Sequence, residues 1–232
     1  MTVLTDLLRI WRYLLLTACI LTFPAIATSD APNSDFPTQQ SLPLPWYTHM
    51  QNEWLWIQYR DKPDTGFVEI KASLTLQTQL NKIRYLLTDK KAVLSWVAGV
   101  KRIVVFEKQN DHQVQLTILD PIWPVHAREM LTTNSLINNT NQFTLTVQDH
   151  NQYLKPNPNR IRVERVNITW QVKQLEDNIV DVQYLGYFQP GGSLPAWLSN
   201  EIFLVLISDS LTNLKAVIDG IESAKGTTAE IQ

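Results

Sequence analysis

The most constraining feature lies near the C-terminus, where residues 194–218 are predominantly apolar at helical spacing. Asn200, Leu204, Ile207, Leu211, Leu214 and Ile218 fall on one stripe, which predicts a long helix with that face turned to the rest of the chain. The unbroken Ile202-Phe203-Leu204-Val205-Leu206-Ile207 is wider than one stripe, so the middle of the helix must be covered on more than one side. Ser193 is placed to cap it, Pro195 falls in its first turn, and Gly220 stands just past its end. Such a helix needs a partner surface large enough to wrap it.

That surface is expected from the β-like segments upstream. Residues 54–60 and 67–76 flank the turn-rich Asp61-Lys62-Pro63-Asp64-Thr65-Gly66 and read as a hairpin. Between residues 78 and 97 the spacing becomes helical, with Leu80, Ile83 and Leu87, then Val93, Leu94, Trp96 and Val97. The break around Asp89-Lys90 predicts two short helices. Residues 103–107, 114–119, 127–136, 143–147, 161–172 and 179–188 follow as strands, with short polar or proline-containing separators suited to antiparallel connections. The fold class expected is α+β.

The first 27 residues have the order of an export signal: Arg9 and Arg12, an apolar run over 13–23, then Ala25-Ile26-Ala27. Cleavage after Ala27 is expected, with a periplasmic or secreted product. The apolar run is shorter than the roughly 20 residues a helix needs to cross a bilayer. Leu16-Thr17-Ala18-Cys19 has the form of a lipid-attachment site, the rival outcome. Residues 28–45, rich in Ser, Thr, Asp, Gln and Pro, read as a flexible leader, residues 46–220 as one domain and 221–232 as a flexible tail. Cys19 is the single cysteine, so the chain beyond it has no disulfide, thiol nucleophile or thiolate metal site. A net charge of −2 without any basic block argues against nucleic acid as a partner.

Several local sequences carry a family resemblance. The stretch Gln189-Pro190-Gly191-Gly192-Ser193-Leu194-Pro195-Ala196-Trp197-Leu198-Ser199-Asn200 is similar to the passage from last strand to final helix in the START lipid-transfer domains. Trp123-Pro124-Val125-His126-Ala127-Arg128-Glu129 resembles that family's Arg-Asp signature, with Glu129 for the usual aspartate, and residues 161–170 give a weaker match. The element order also fits, over residues 46–219. The resemblance implies a helix-grip fold, a curved antiparallel sheet around the C-terminal helix, with a hydrophobic tunnel for a lipid or other apolar molecule. In family members that hold sterols a charged pair lies inside the tunnel. Ungapped alignment puts Gln115 and Asn134 there, which argues against a sterol but leaves two amides able to meet a polar ligand end.

Leu204, Ile207 and Leu211 are the lining candidates from the helix. Arg128 and Glu129, adjacent on a strand, should face opposite ways, and Arg128 is expected to tie strands together, with Glu164 or Asp181 as candidate partners, rather than to contact ligand. Gly191 and Gly192 permit a sharp turn into the helix, or a hinge for it. The family resemblance implies that the turn at 138–141 lies near that helix, where it or the helix is expected to move for ligand exchange. No nucleophile elbow, phosphate-cradling loop or metal-spaced histidine pair is present, and no cofactor or metal is expected. Three functions follow as alternatives: a carrier or sensor of an apolar ligand with transient membrane contact, a helix-grip cyclase or hydrolase using a dyad such as His126 with Glu129, or a filled-core interaction module. Oligomeric state is left open by the sequence.

Overall fold

The computed structural model describes residues 44–109, 111–121 and 126–220. The signal-like segment, the leader up to residue 43, Trp123-Pro124-Val125 of the signature and the C-terminal tail lie outside the described residues. Ten strands and three helices follow in chain order: β1 (Tyr47–Gln51), β2 (Leu55–Asp61), β3 (Val68–Gln77), α1 (Leu80–Thr88), α2 (Lys90–Trp96), β4 (Val100–Gln109), β5 (His112–Leu119), β6 (Arg128–Asn138), β7 (Gln142–Asp149), β8 (Ile161–Arg162), β9 (Arg165–Glu176), β10 (Ile179–Gln189) and α3 (Ala196–Ile218). The strands form one open sheet in the order β1-β2-β3-β10-β9-β7-β6-β5-β4, antiparallel throughout, with β8 added in parallel beside β6.

The register explains which side chains meet. On β3, Val68, Ile70, Ala72, Leu74 and Leu76 alternate inward, and on β10 Val180, Val182 and Tyr184 do the same. These join Leu204, Ile207, Leu211 and Leu214 of α3 in the hydrophobic core. Hydrogen bonds fasten α3 at two places. The Asn200 side chain takes a bond from the Val68 amide and gives one to the Gly66 carbonyl (3.2 and 3.0 Å), tying the helix start to the β2–β3 turn. Farther along, Ser210 Oγ accepts from the Ala98 amide at 2.9 Å, and Asn213 donates to the Trp96 carbonyl at 3.2 Å.

The break between α1 and α2 has a local cause. Asp89 ends the first helix and begins the second, its Oδ1 accepting from the amides of Lys91 and Ala92 at 2.9 and 3.0 Å. Three expectations need correction. Residues 161–172 form two strands, because Val163 N donates to Glu129 O on β6 whereas Glu164 N donates to Gln189 O on β10. Ser193 is not the cap of α3: Pro195 holds that position without a side-chain hydrogen bond. Residues 47–51, not read as a strand, pair with β2 at the sheet edge; they are almost wholly exposed, so no inward alternation marks them.

Candidate functional site

A cavity of about 250 Å³ lies between α2 and α3 on one side and the sheet from β4 to β10 on the other. From α3 it receives Ile202, Phe203, Leu206 and Ile207, from α2 Val93 and Trp96, and from the strands Met130, Leu145, Val147, Ile168, Trp170, Tyr184 and Phe188. Three of these rings form a continuous wall. Trp96 meets Trp170 edge-on at 6.0 Å between centroids, and Trp170 meets Tyr184 at 4.7 Å. Trp96 is itself fixed by donating Nε1–H to the Leu86 carbonyl at 2.8 Å. Gly186 completes the wall by absence: a Cβ there would lie 2.0 Å from the Tyr184 hydroxyl oxygen. Burial pushes the Tyr184 hydroxyl well above the usual tyrosine range, so it stays neutral.

Polar groups interrupt the apolar surface in two places. On β5 the Gln113 amide donates to Gln115 at 2.7 Å, and Gln115 in turn donates to Thr117 Oγ1 at 3.4 Å; on β6 Thr132 donates to Asn134 Oδ1 at 3.1 Å. Gln115 and Asn134 both line the cavity. Asn134 also borders a second, more polar space of about 440 Å³ between α1 and strands β4 to β7, whose wall shares Leu87, Thr88 and Leu145 with the first. The other polar place is Arg128, whose buried guanidinium faces the cavity. It donates to the carbonyls of His126 (2.9 Å), Pro190 (3.2 Å) and Gly191 (3.4 Å). Desolvation draws its pKa below the ordinary arginine range; a guanidinium nevertheless keeps its proton inside proteins.

The expected acidic partners of Arg128 are engaged elsewhere: Glu164 accepts from Gln189 at 3.0 Å, and Asp181 accepts from Gln183. Glu129 does face the opposite way. Its buried carboxylate binds Arg162 at 2.8 Å, Arg160 at 3.5 Å and the Asn157 amide at 2.9 Å. Burial raises the Glu129 pKa, but the Asn157 amide and the Arg162 and Arg160 guanidiniums outweigh it, so the carboxyl sits below its ordinary range. The dyad of His126 with Glu129 is therefore not assembled. His126 is exposed on the cavity rim with Lys90 and Asp120. Among the described residues no group of three or more His, Cys, Asp or Glu side chains could hold a metal ion.

Of the helix candidates, Ile207 is on the cavity wall, while Leu204 and Leu211 turn into the core beside it. Gly191 and Gly192 both adopt φ +70°, a conformation L side chains resist, in the turn that Arg128 holds. At the turn 138–141, Arg84 of α1 donates to Asn138 at 3.3 Å. Sequence reading missed Trp96, Thr117, Met130, Trp170 and Tyr184. The strand members among them could have been found by extending the inward alternation of each strand from one known inward residue.

No known family model matches the sequence. An uncharacterized Pseudomonas aeruginosa protein is 22% identical over 157 residues, which span 66% of this chain and 74% of that one. Among solved structures, a STAR-related lipid transfer protein fragment from Xanthomonas axonopodis superimposes with a TM-score of 0.68 at 20% identity, covering 75% of this chain and 98% of that one. Human STARD10 superimposes with a TM-score of 0.67 at 15% identity, covering 75% and 72%. At these identities the likeness is one of fold. The fold is the START-type helix grip, α+β, an open antiparallel sheet with a C-terminal helix.

Proposed function

We propose that this protein binds a lipid or similar apolar molecule in the cavity between α3 and the sheet, and carries or senses it outside the cytoplasm. The observation that carries this reading is the cavity itself. A space of about 250 Å³ walled by Trp96, Trp170, Phe203, Ile207 and Phe188 offers a dry apolar surface, and a tail placed there gains roughly 0.8 kcal/mol per buried methylene. Gln115 and Asn134 are the amides proposed to meet a polar ligand end, and Leu204 and Leu211 support the lining residue Ile207 from behind. The separation of Glu129 from His126 disfavours the enzyme alternative in the form expected from sequence. The cavity disfavours the filled-core module.

The extracytoplasmic part of the proposal rests on the order of charge, apolar run and Ala-x-Ala in residues 1–27. N-terminal sequencing of protein from its own host tests it. A chain beginning at Thr28 supports export by cleavage, and a lipid-modified Cys19 would replace that with anchoring. Delivery of a lipid also requires transient membrane contact, for which the exposed Trp197 and Val205 on the outer side of α3 are the candidate residues.

The binding test is titration of purified protein with the neutral fluorophore Nile red, followed by competition with long-chain lipids. Saturable binding near one equivalent is expected, reduced by Ile207→Trp, which fills the cavity, at unchanged thermal stability. Unsaturable uptake, or uptake indifferent to that filling, would leave the carrier reading without support.

A further inference from the structure

Arg128 brings a positive charge to the wall of an apolar cavity with no carboxylate to meet it. The residue is 6% exposed, and all three partners of its side chain are neutral backbone carbonyls. A guanidinium has five N–H donors. The three bonds account for Nε and for one hydrogen each on Nη1 and Nη2, so one on each terminal nitrogen has no partner among the described residues. None of the ion pairs among those residues includes Arg128. Residues 122–125, Ile-Trp-Pro-Val, add no acidic side chain.

The neighbouring arginines make the contrast plain. Arg160 and Arg162 share Glu129 on the other face of the sheet, so those two guanidiniums have the counter-charge that Arg128 lacks. A desolvated charge lacking one is unfavourable by itself and becomes favourable when paired with an anion. Side chains on β6 alternate, which puts Arg128, Met130, Thr132 and Asn134 on one face. At about 3.3 Å per residue, Arg128 and Asn134 stand roughly 20 Å apart along the strand. The face therefore runs from a cationic end, beside the turn into α3, past Met130 to a polar end where Thr132 and Asn134 meet.

We infer that the ligand is an apolar acid whose oxyanion, a carboxylate or a phosphate, pairs with Arg128 while its hydrocarbon body lies along the aromatic wall. A carboxylate can take two guanidinium N–H groups side by side, and a phosphate offers the same oxygens. This rests on the cavity-binding reading and specifies its ligand class.

The test is displacement of Nile red by oleate, by oleoyl lysophosphatidic acid and by the neutral methyl oleate, in wild type, Arg128→Lys and Arg128→Gln. Each variant is scored by its own acid-to-ester affinity ratio, so a general loss of cavity or stability cancels. In wild type the better acid is expected to bind at least about tenfold more tightly than the ester, the size of one charge-assisted hydrogen bond. The ratio should fall to near one in Arg128→Gln and remain partly in Arg128→Lys. Preference for oleate over the lysophospholipid identifies a carboxylate, the reverse a phosphate. Equal binding of acids and ester in wild type overturns the inference and leaves the carrier reading standing, as does an acid preference that survives Arg128→Gln. If Arg128→Gln does not fold, an undiminished ratio in Arg128→Lys counts against it, because lysine cannot reproduce two planar N–H contacts. Failure of all three lipids to displace the probe would sink both readings together.

Discussion

Arg128 and Glu129 are chain neighbours with separate environments, and strand alternation made that separation legible before any partner was known. Apart from His126, their partners were not legible, because they come from residues 28 to 63 positions away along loops whose path no local pattern encodes. Glu129 is fully buried between two guanidiniums, so Glu129→Ala leaves Arg162 without its counter-charge; a loss of about 3 kcal/mol in urea unfolding at pH 7 is expected. The pH dependence has a definite sign. The folded-state pKa of Glu129 lies below its unfolded value of roughly 4.3, so its stabilisation is full above that pH and is lost as pH falls through the folded value. Glu129→Gln should flatten the acid limb of a stability-against-pH curve relative to wild type; an unchanged limb would mean that other carboxylates govern it. Gly191 and Gly192 share the same φ, yet their surroundings differ. A Cβ at Gly191 would sit 2.5 Å from the backbone oxygen of Arg162, whereas one at Gly192 would meet the flexible Ile161 side chain at 3.1 Å. Gly191→Ala should therefore destabilise by more than about 1 kcal/mol and by more than Gly192→Ala, as read from paired thermal melts.

At the scale of elements, the sequence disclosed what periodicity can disclose. The two short helices, the hairpin β2–β3 and the long α3 were legible because each repeats its own inward face over several turns or pleats. The edge strand β1 was not, since an exposed strand has no inward face, nor was the division of β8 from β9, where the chain exchanges one pairing partner for another without a change in hydrophobicity. For the site, the apolar stripe of α3 indicated inward residues but did not separate the cavity wall at Ile207 from the core at Leu204 and Leu211, because both surfaces are apolar. The aromatic wall depends on a residue that contributes no side chain. Gly186 leaves room for the Tyr184 phenol, whose ring is held edge-on by Trp170. In Gly186→Ala the methyl group forces that phenol to move, and the cavity changes shape with it. A several-fold change in Nile red affinity with an altered emission maximum is expected, alongside unchanged far-ultraviolet circular dichroism; an unaltered probe would place Tyr184 outside the binding surface.

For the molecule as a whole, whether a sheet that grips one helix is filled or hollow depends on the summed volume of every inward side chain. The seven Trp and five Phe residues within 46–220 could have filled this one, and no single motif reports the difference. The two fastenings of α3 bear on how a ligand enters. Asn200 holds the helix start to the β2–β3 turn, and Ser210 and Asn213 hold its later turns to the segment after α2. Ligand exchange through the Gly191–Gly192 side requires the first fastening to release while the second stays closed. The geometry supplies a direct lock, because a Cβ built on Gly66 lies 3.3 Å from the Cβ of Ala196, close to the separation across a disulfide. Cysteines at both positions, in a Cys19→Ser background, should oxidise to one bridge despite the strained φ of +70° at Gly66. With the bridge closed and confirmed by mass, Nile red uptake and release in stopped flow should slow at least about tenfold and recover on reduction, while probe loaded beforehand stays bound. If oxidised and reduced protein exchange probe at the same rate, the start of α3 is not the moving part. The route must then run through the polar space under α1, where Asn134 borders both cavities.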